Sequence, residues 1–155
     1  MNKAVTRGFS FGLVSGIITT LGLVIGLHSG THSRSVVLSG ILVIAVADAM
    51  SDAFGVHMAE ETQGLGKKEV WIATLSTFGA KFLFGLTFVV PIIVFALSTA
   101  IYISVAWGFG LIILFSVWIA VKKKENVWQV VAEHLLIAVA VIAATNFVGD
   151  LIAKF

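Results

Sequence analysis

Residues 36–58 read VVLSGILVIAVADAMSDAFGVHM, and this stretch decides the fold. It exceeds the roughly 20 apolar residues that a helix needs to cross the hydrocarbon core of a bilayer. It nevertheless holds Asp48 and Asp52 one helical turn apart, where almost nothing else is charged. A carboxylate at the bilayer centre costs about 2.5–3.5 kcal/mol on insertion scales, so the pair requires water, a cation or a basic partner.

The composition of the whole chain predicts the same environment. Hydrophobic residues make up 59% and charged residues 12% of the 155 residues. That leaves too little polar surface to cover a water-soluble globule, so we expect an all-α integral membrane protein. The chain has no cysteine, which excludes disulfides and thiolate metal sites. Basic residues stand at the ends of apolar spans rather than on one face, so no nucleic-acid partner is expected.

Five apolar stretches predict a single five-helix transmembrane domain over residues 1–155. They are residues 9–27, 36–58, 71–98, 100–121 and 127–153. Seven basic residues fall on the side that holds the N-terminus: Lys3, Arg7, Lys67, Lys68, Lys122, Lys123 and Lys124. The opposite side has only Arg34 and Lys154. This bias predicts a cytoplasmic N-terminus and an outside C-terminus. The short chain without a targeting extension suggests the cytoplasmic membrane of a prokaryote.

The first span carries two rows of glycine. One row is Gly8, Gly12 and Gly16, and the other is Gly22, Gly26 and Gly30. Small residues at this spacing let helix backbones approach closely in lipid. Plain helix packing explains the rows, and so does a narrow pathway or a homodimer contact along them.

Three occupants could neutralise Asp48 and Asp52, which we expect to face the bundle interior. Lys81 lies about eleven residues into the third span and could form an ion pair at similar depth. A divalent cation is the second candidate, because paired carboxylates with hydroxyl oxygens suit Fe²⁺, Mn²⁺ or Mg²⁺. Protonation is the third, as in a proton-coupled carrier.

Four further polar residues lie near span ends. Glu60 and Glu61 could gather cations at a cytoplasmic mouth, or they could mark a solvated helix end. Asn146 and Asp150 share a face near the outer end of the fifth span, which fits an exit site or a hydrogen bond between helices. No HExxH, GxSxG or phosphate-loop motif occurs, so we do not expect an enzyme.

Four segments together resemble the vacuolar iron transporter family. They are RGFSFGLVSGIITTLGLVIGL (7–27), LSGILVIAVADAMSDAFGVHMAEE (38–61), STFGAKFLFGLTFVVPIIVF (76–95) and AATNFVGDLI (143–152). The resemblance implies a homodimeric carrier that moves Fe²⁺, and often Mn²⁺, out of the cytosol in exchange for protons. Its pathway would run near the dimer axis, lined by the first two helices, and no cofactor would be permanently bound.

The family pattern transfers only in part. The matching positions are Thr19, Thr20, Ala47, Asp48, Ser51 and Gly55. The family's first-helix aspartate falls on Ser15, and its second-helix methionine falls on Asp52. The glutamate and tyrosine that follow the shared glycine fall on Val56 and His57. The cytoplasmic metal-binding insertion is also missing, because only EETQGLGKKE (60–69) stands between the second and third spans.

Two hypotheses follow for the displaced carboxylate. In the first, Asp52 replaces the missing charge across the same cavity, and the chain carries a divalent metal ion. Loss of the thioether would favour harder ions. The predicted ligands are then Asp48 and Asp52, supported by oxygens of Ser15, Thr19, Thr20 and Ser51. In the second, Lys81 neutralises the pair, and the chain is a membrane scaffold or partner subunit that does not transport.

Overall fold

The computed structural model describes residues 3–155, and most of them are helical. The helices, in chain order, are α1 (Lys3–Thr31), α2 (Arg34–Thr62), α3 (Lys67–Thr87), α4 (Val89–Val94), α5 (Leu97–Lys123) and α6 (Val127–Ile152). No β-strand occurs among these residues. The prediction of an all-α chain with five apolar helices long enough to cross a membrane is confirmed, with α3 and α4 together forming one candidate span, Lys67–Val94.

The helices are longer than the apolar stretches that predicted them. For example, α1 begins at Lys3 and α2 continues to Thr62. Backbone hydrogen bonding does not stop where side chains become polar, so helices continue beyond the apolar part of each span.

The third span is interrupted, whereas the sequence predicted one continuous helix over 71–98. The α3 helix ends at Thr87, α4 covers only six residues, and α5 has already begun at Leu97. Pro91 explains the break, because its nitrogen carries no proton and its ring clashes with the carbonyl four residues earlier, which is that of Thr87. At the end of α3, the Thr87 hydroxyl oxygen accepts a hydrogen bond from Trp107 Nε1 of α5 at 2.9 Å.

The α1 helix is the centre of the bundle. It packs against α2, α3, α5 and α6. Its buried residues Ile17, Leu21 and Val24 form a core with Val37 and Ile41 of α2, and Phe88 and Ile92 close this core from the interrupted span. Side chains at mid-height of α1 therefore touch several helices at once.

Each glycine row of α1 packs against a different helix. A Cβ atom added at Gly8 or Gly12 would lie 2.2 Å or 2.3 Å from the carbonyl oxygen of Ala73 or Thr77 in α3. The second row meets α6, where a Cβ atom added at Gly26 would lie 3.2 Å from the carbonyl oxygen of Thr145. The rows are contacts within one chain, which is the helix-packing interpretation of the sequence.

The outer surface of the bundle is largely apolar. Large side chains such as Tyr102, Leu136 and Phe147 are exposed. Such a surface suits contact with lipid tails. The fold is therefore that of an integral membrane protein, with five helices that could span the bilayer.

Candidate functional site

Three charged side chains and one hydroxyl form a cluster where α1, α2 and α3 meet. The Lys81 amine lies 2.6 Å from Asp48 Oδ2 and also contacts Asp52 Oδ2. It donates a hydrogen bond to Ser15 Oγ at 2.9 Å. Ser15 Oγ in turn donates to Asp52 Oδ2 at 2.6 Å. One amine is thus held by two carboxylates and one hydroxyl.

The cluster lies at mid-height of the bundle. Asp48 is at the centre of the 29-residue α2, and Asp52 follows one turn later on the same face. Lys81 reaches them from α3, and its position is fixed by the close approach of α3 to Gly16 of α1. An added Cβ at Gly16 would lie 2.9 Å from the Lys81 carbonyl oxygen, so a larger residue there would push α3 away from α1 at Lys81.

The members of the cluster differ in exposure. The Lys81 side chain is 3% exposed, whereas those of Asp48 and Asp52 are 31% and 23% exposed. The amine is therefore enclosed by protein, and the two carboxylates reach the surface of the single chain. The prediction that both acids face the bundle interior is therefore only partly correct. Their carboxylates contact the buried amine, but each is also partly exposed.

The other predicted oxygen ligands stand apart from the cluster. Thr19 donates its hydroxyl to the Ser15 carbonyl oxygen at 2.7 Å, within its own helix. Thr20 is buried beside Gly85 of α3, and Ser51 is exposed. Of the four predicted supporting residues, the structure brings only Ser15 to the carboxylates.

Glu60 and Glu61 have different environments at the end of α2. Glu60 is buried and accepts a hydrogen bond from Arg7 Nε at 2.8 Å, so it is not a solvated helix end. Glu61 is exposed, with Oε1 3.6 Å from Nε2 of His57. The sequence does not predict the contact of Arg7 with Glu60. The signal that could have found it is that Arg7 and Glu60 stand at span ends that are predicted to lie on the same side of the membrane.

Asn146 and Asp150 hydrogen-bond to each other and to α1. Asn146 Nδ2 donates to Asp150 Oδ2 at 3.0 Å, and Ser29 of α1 donates its hydroxyl to Asp150 Oδ1. This is the helix-packing arrangement that the sequence allowed. Ser29 was not predicted, but it follows Gly22 and Gly26 on the same small-residue face of α1, which is the signal that could have found it.

The donor set restricts what the cluster can bind. Within residues 3–155, no group of three or more His, Asp and Glu side chains is placed to hold a metal ion. A divalent ion at the cluster would have two carboxylates and the Ser15 hydroxyl, all hard oxygen donors. The remaining ligands of the ion would have to come from water or from a second copy of the chain.

The fold and the cluster define a class: an integral membrane protein with a charged triad at mid-height of its helices. Comparisons with known proteins do not narrow this class, because no family model, curated protein or solved structure matches the sequence. The resemblance to the vacuolar iron transporter family therefore stays a prediction.

Proposed function

We propose that the chain is a membrane carrier for a divalent metal ion of the Fe²⁺ or Mn²⁺ type, which it moves out of the cytosol as a homodimer, by proton antiport. The observation that carries the proposal is the convergence of three oxygen atoms on one cation. The Lys81 amine marks the point where Asp48, Asp52 and Ser15 meet.

The charge of the cluster supports ion binding. With both carboxylates ionised and the amine protonated, one negative charge remains on the group. Uncompensated charge at membrane depth is expensive and is characteristic of ion pathways. The partial exposure of both acids gives a small cation a way to reach them without unfolding the helix pair.

Lys81 would compete with the transported ion. The Lys81 amine now bridges the two carboxylates. A metal ion coordinated by the same carboxylates could not bind beside it, since like charges at that distance repel strongly. Transport would therefore require the enclosed Lys81 amine to leave this position, a movement that its flexible four-carbon stem allows without a shift of the α3 backbone. Such competition would keep affinity modest, which allows release on the other side.

Transport in proteoliposomes tests this proposal. Purified protein is reconstituted with a metal-sensitive dye inside, and uptake of Mn²⁺ or Fe²⁺ is followed. We expect Asp48→Asn and Asp52→Asn each to lower the uptake rate by about tenfold or more, because each removes a charged ligand. Glu133→Gln is the matched control, since Glu133 is an exposed acid of α6 outside the cluster. Normal transport by folded Asp48→Asn and Asp52→Asn protein would refute the site.

A second candidate function rests on the same contacts. The ion pair between Lys81 and Asp48, at 2.6 Å, favours a scaffold or partner subunit in which the amine permanently neutralises the acids. That candidate predicts that wild-type proteoliposomes take up no more metal ion than protein-free liposomes. Uptake above that background excludes it.

A further inference from the structure

A basic cavity lies at one end of the bundle, between the start of α1 and the end of α5. Its volume is about 480 Å³. The polar and aromatic lining residues are Thr6, Arg7, Ser10, Trp118, Lys122 and Lys123. Three of them are cationic and none is acidic. The cavity is separate from the Asp48–Lys81–Asp52 cluster and has no part in the proposed transport chemistry.

The positive charge of this cavity is only partly compensated. Glu60 pairs with Arg7 and holds its guanidinium in place. Lys123 has Glu125 at 3.7 Å, but both side chains are exposed, and such surface pairs contribute little. Within residues 3–155, no carboxylate lies within ion-pair distance of Lys122, whose amine instead lies 4.7 Å from the centre of the Trp118 ring. An anion in the cavity would meet two amines and a fixed guanidinium.

An apolar groove lies beside this cavity on the outer surface of the bundle, nearer to its mid-height. Its volume is about 290 Å³, and Trp118 lines both spaces. The groove is formed by Phe9 and Leu13 of α1, Phe84 of α3, and Leu111 and Leu114 of α5. From Lys122 to Leu111 the helix rises roughly 16 Å, at about 1.5 Å per residue. The apolar lining suits a hydrocarbon chain, whereas it offers no ligand to an inorganic ion.

We propose that one anionic phospholipid binds here, with its phosphate between Lys122, Lys123 and Arg7 and an acyl chain along the groove beside Leu114. Basic pockets between transmembrane helices at the membrane surface are suited to acidic headgroups. The indole of Trp118 stands where headgroup and acyl chain join, which is the position that tryptophan prefers at a membrane interface. A basic cavity and an apolar groove that adjoin at Trp118 favour a lipid over free phosphate.

Lipid retention by the intact protein tests the proposal. Wild-type protein in detergent is mixed with phosphatidylglycerol or with phosphatidylcholine of the same acyl chains, and bound lipid is counted by native mass spectrometry. We expect one phosphatidylglycerol to be retained in preference to phosphatidylcholine. The double variant Lys122→Gln with Lys123→Gln should bind phosphatidylglycerol about thirtyfold more weakly, since each basic residue near the surface contributes about fivefold.

Two matched controls separate the headgroup from the tail. Lys67→Gln with Lys68→Gln removes two exposed lysines from the start of α3, outside the cavity, and should leave retention unchanged. Leu114→Trp fills the groove and should weaken phosphatidylglycerol binding, whereas Leu136→Trp on the exposed surface of α6 should not.

Three results would overturn the proposal. The first is equal retention of the two lipids by wild-type protein, and the second is an equal loss in both double-lysine variants. The third result has two parts: inorganic phosphate at millimolar concentration displaces the lipid, and Leu114→Trp has no effect on lipid binding. Together they would identify a site for free phosphate. None of these results depends on metal transport.

Discussion

Lys81 illustrates how far a single residue can be interpreted from sequence. Its depth in the third span was sufficient to predict that it could reach the aspartates. Sequence could not show that the amine touches both carboxylates and Ser15, because that depends on how closely α3 approaches α1. The small residue Gly16 permits this approach, and its contact with Lys81 becomes visible only in three dimensions.

Replacing Lys81 by methionine tests what the amine contributes. Lys81→Met keeps most of the side-chain volume but leaves Asp48 and Asp52 facing each other without a cation. We expect the free energy of unfolding to fall by about 3–5 kcal/mol, the usual cost of removing one partner of a buried ion pair. The measurement is the melting temperature of the purified protein in detergent without divalent ions.

Added Mn²⁺ distinguishes the two proposed functions in the same variant. If the carboxylates form an ion site, Mn²⁺ should raise the melting temperature of Lys81→Met protein in a saturable manner, because binding to the folded state stabilises it. Lys68→Met, at an exposed position of the same helix, is the control for loss of a positive charge. An unchanged melting temperature of Lys81→Met without metal would show that the amine does not hold the acids together.

At the scale of helices, the glycine rows of α1 were predicted as packing surfaces, but their partners were not. The spacing defines two faces, and nothing in the sequence assigns one face to α3 and the other to α6. The interruption of the third span is likewise not predicted from the sequence, although Pro91 lies within that span. A proline can kink a membrane helix or end it, and the outcome depends on the groups that surround the freed backbone.

Gly12→Ala tests the packing of the first row. Its new methyl group would lie 2.3 Å from the Thr77 carbonyl oxygen, which belongs to the backbone and cannot move alone. We expect a loss of about 1–3 kcal/mol in the free energy of unfolding, typical of overpacking. The matched control is Gly79→Ala in α3, because an added Cβ there meets nothing within 4 Å.

The control should change stability in the opposite direction. Alanine in a helix interior is favoured over glycine by about 0.5–1 kcal/mol, so Gly79→Ala should be neutral or slightly stabilising. Chemical denaturation of both variants in the same detergent gives the comparison. Equal stability of Gly12→Ala and wild-type protein would contradict the close approach of α1 and α3.

For the whole molecule, composition was sufficient to predict five apolar helices, because lipid selects side chains by polarity along the entire chain. Composition does not predict what covers the outer face of α2. Ala47, Ser51 and Gly55 are exposed there, next to the partly open carboxylates. Charged groups at membrane depth avoid lipid tails, so we expect a second copy of the chain to cover this face.

Cysteine cross-linking tests the homodimer, and the chain offers a clean background because it has no cysteine. We expect Ser51→Cys protein in membranes to form a covalent dimer on mild oxidation, since disulfides require Cα atoms within about 7 Å. Leu136→Cys, on the exposed surface of α6, should remain monomeric on denaturing gels. Cross-linking of both variants to the same extent would indicate random collision rather than a defined interface.

The two glycine rows also decide which parts of the protein can shift relative to each other. Backbone-to-backbone contact joins α1 to α3 and to α6, and such close-fitting surfaces do not slide by small amounts. The α2 helix packs on these three helices through its buried apolar residues Val37 and Ile41. Polar links from Lys81 to its aspartates and from Arg7 to Glu60 add to this apolar contact. Any rearrangement of the bundle should therefore keep α1, α3 and α6 together as one unit.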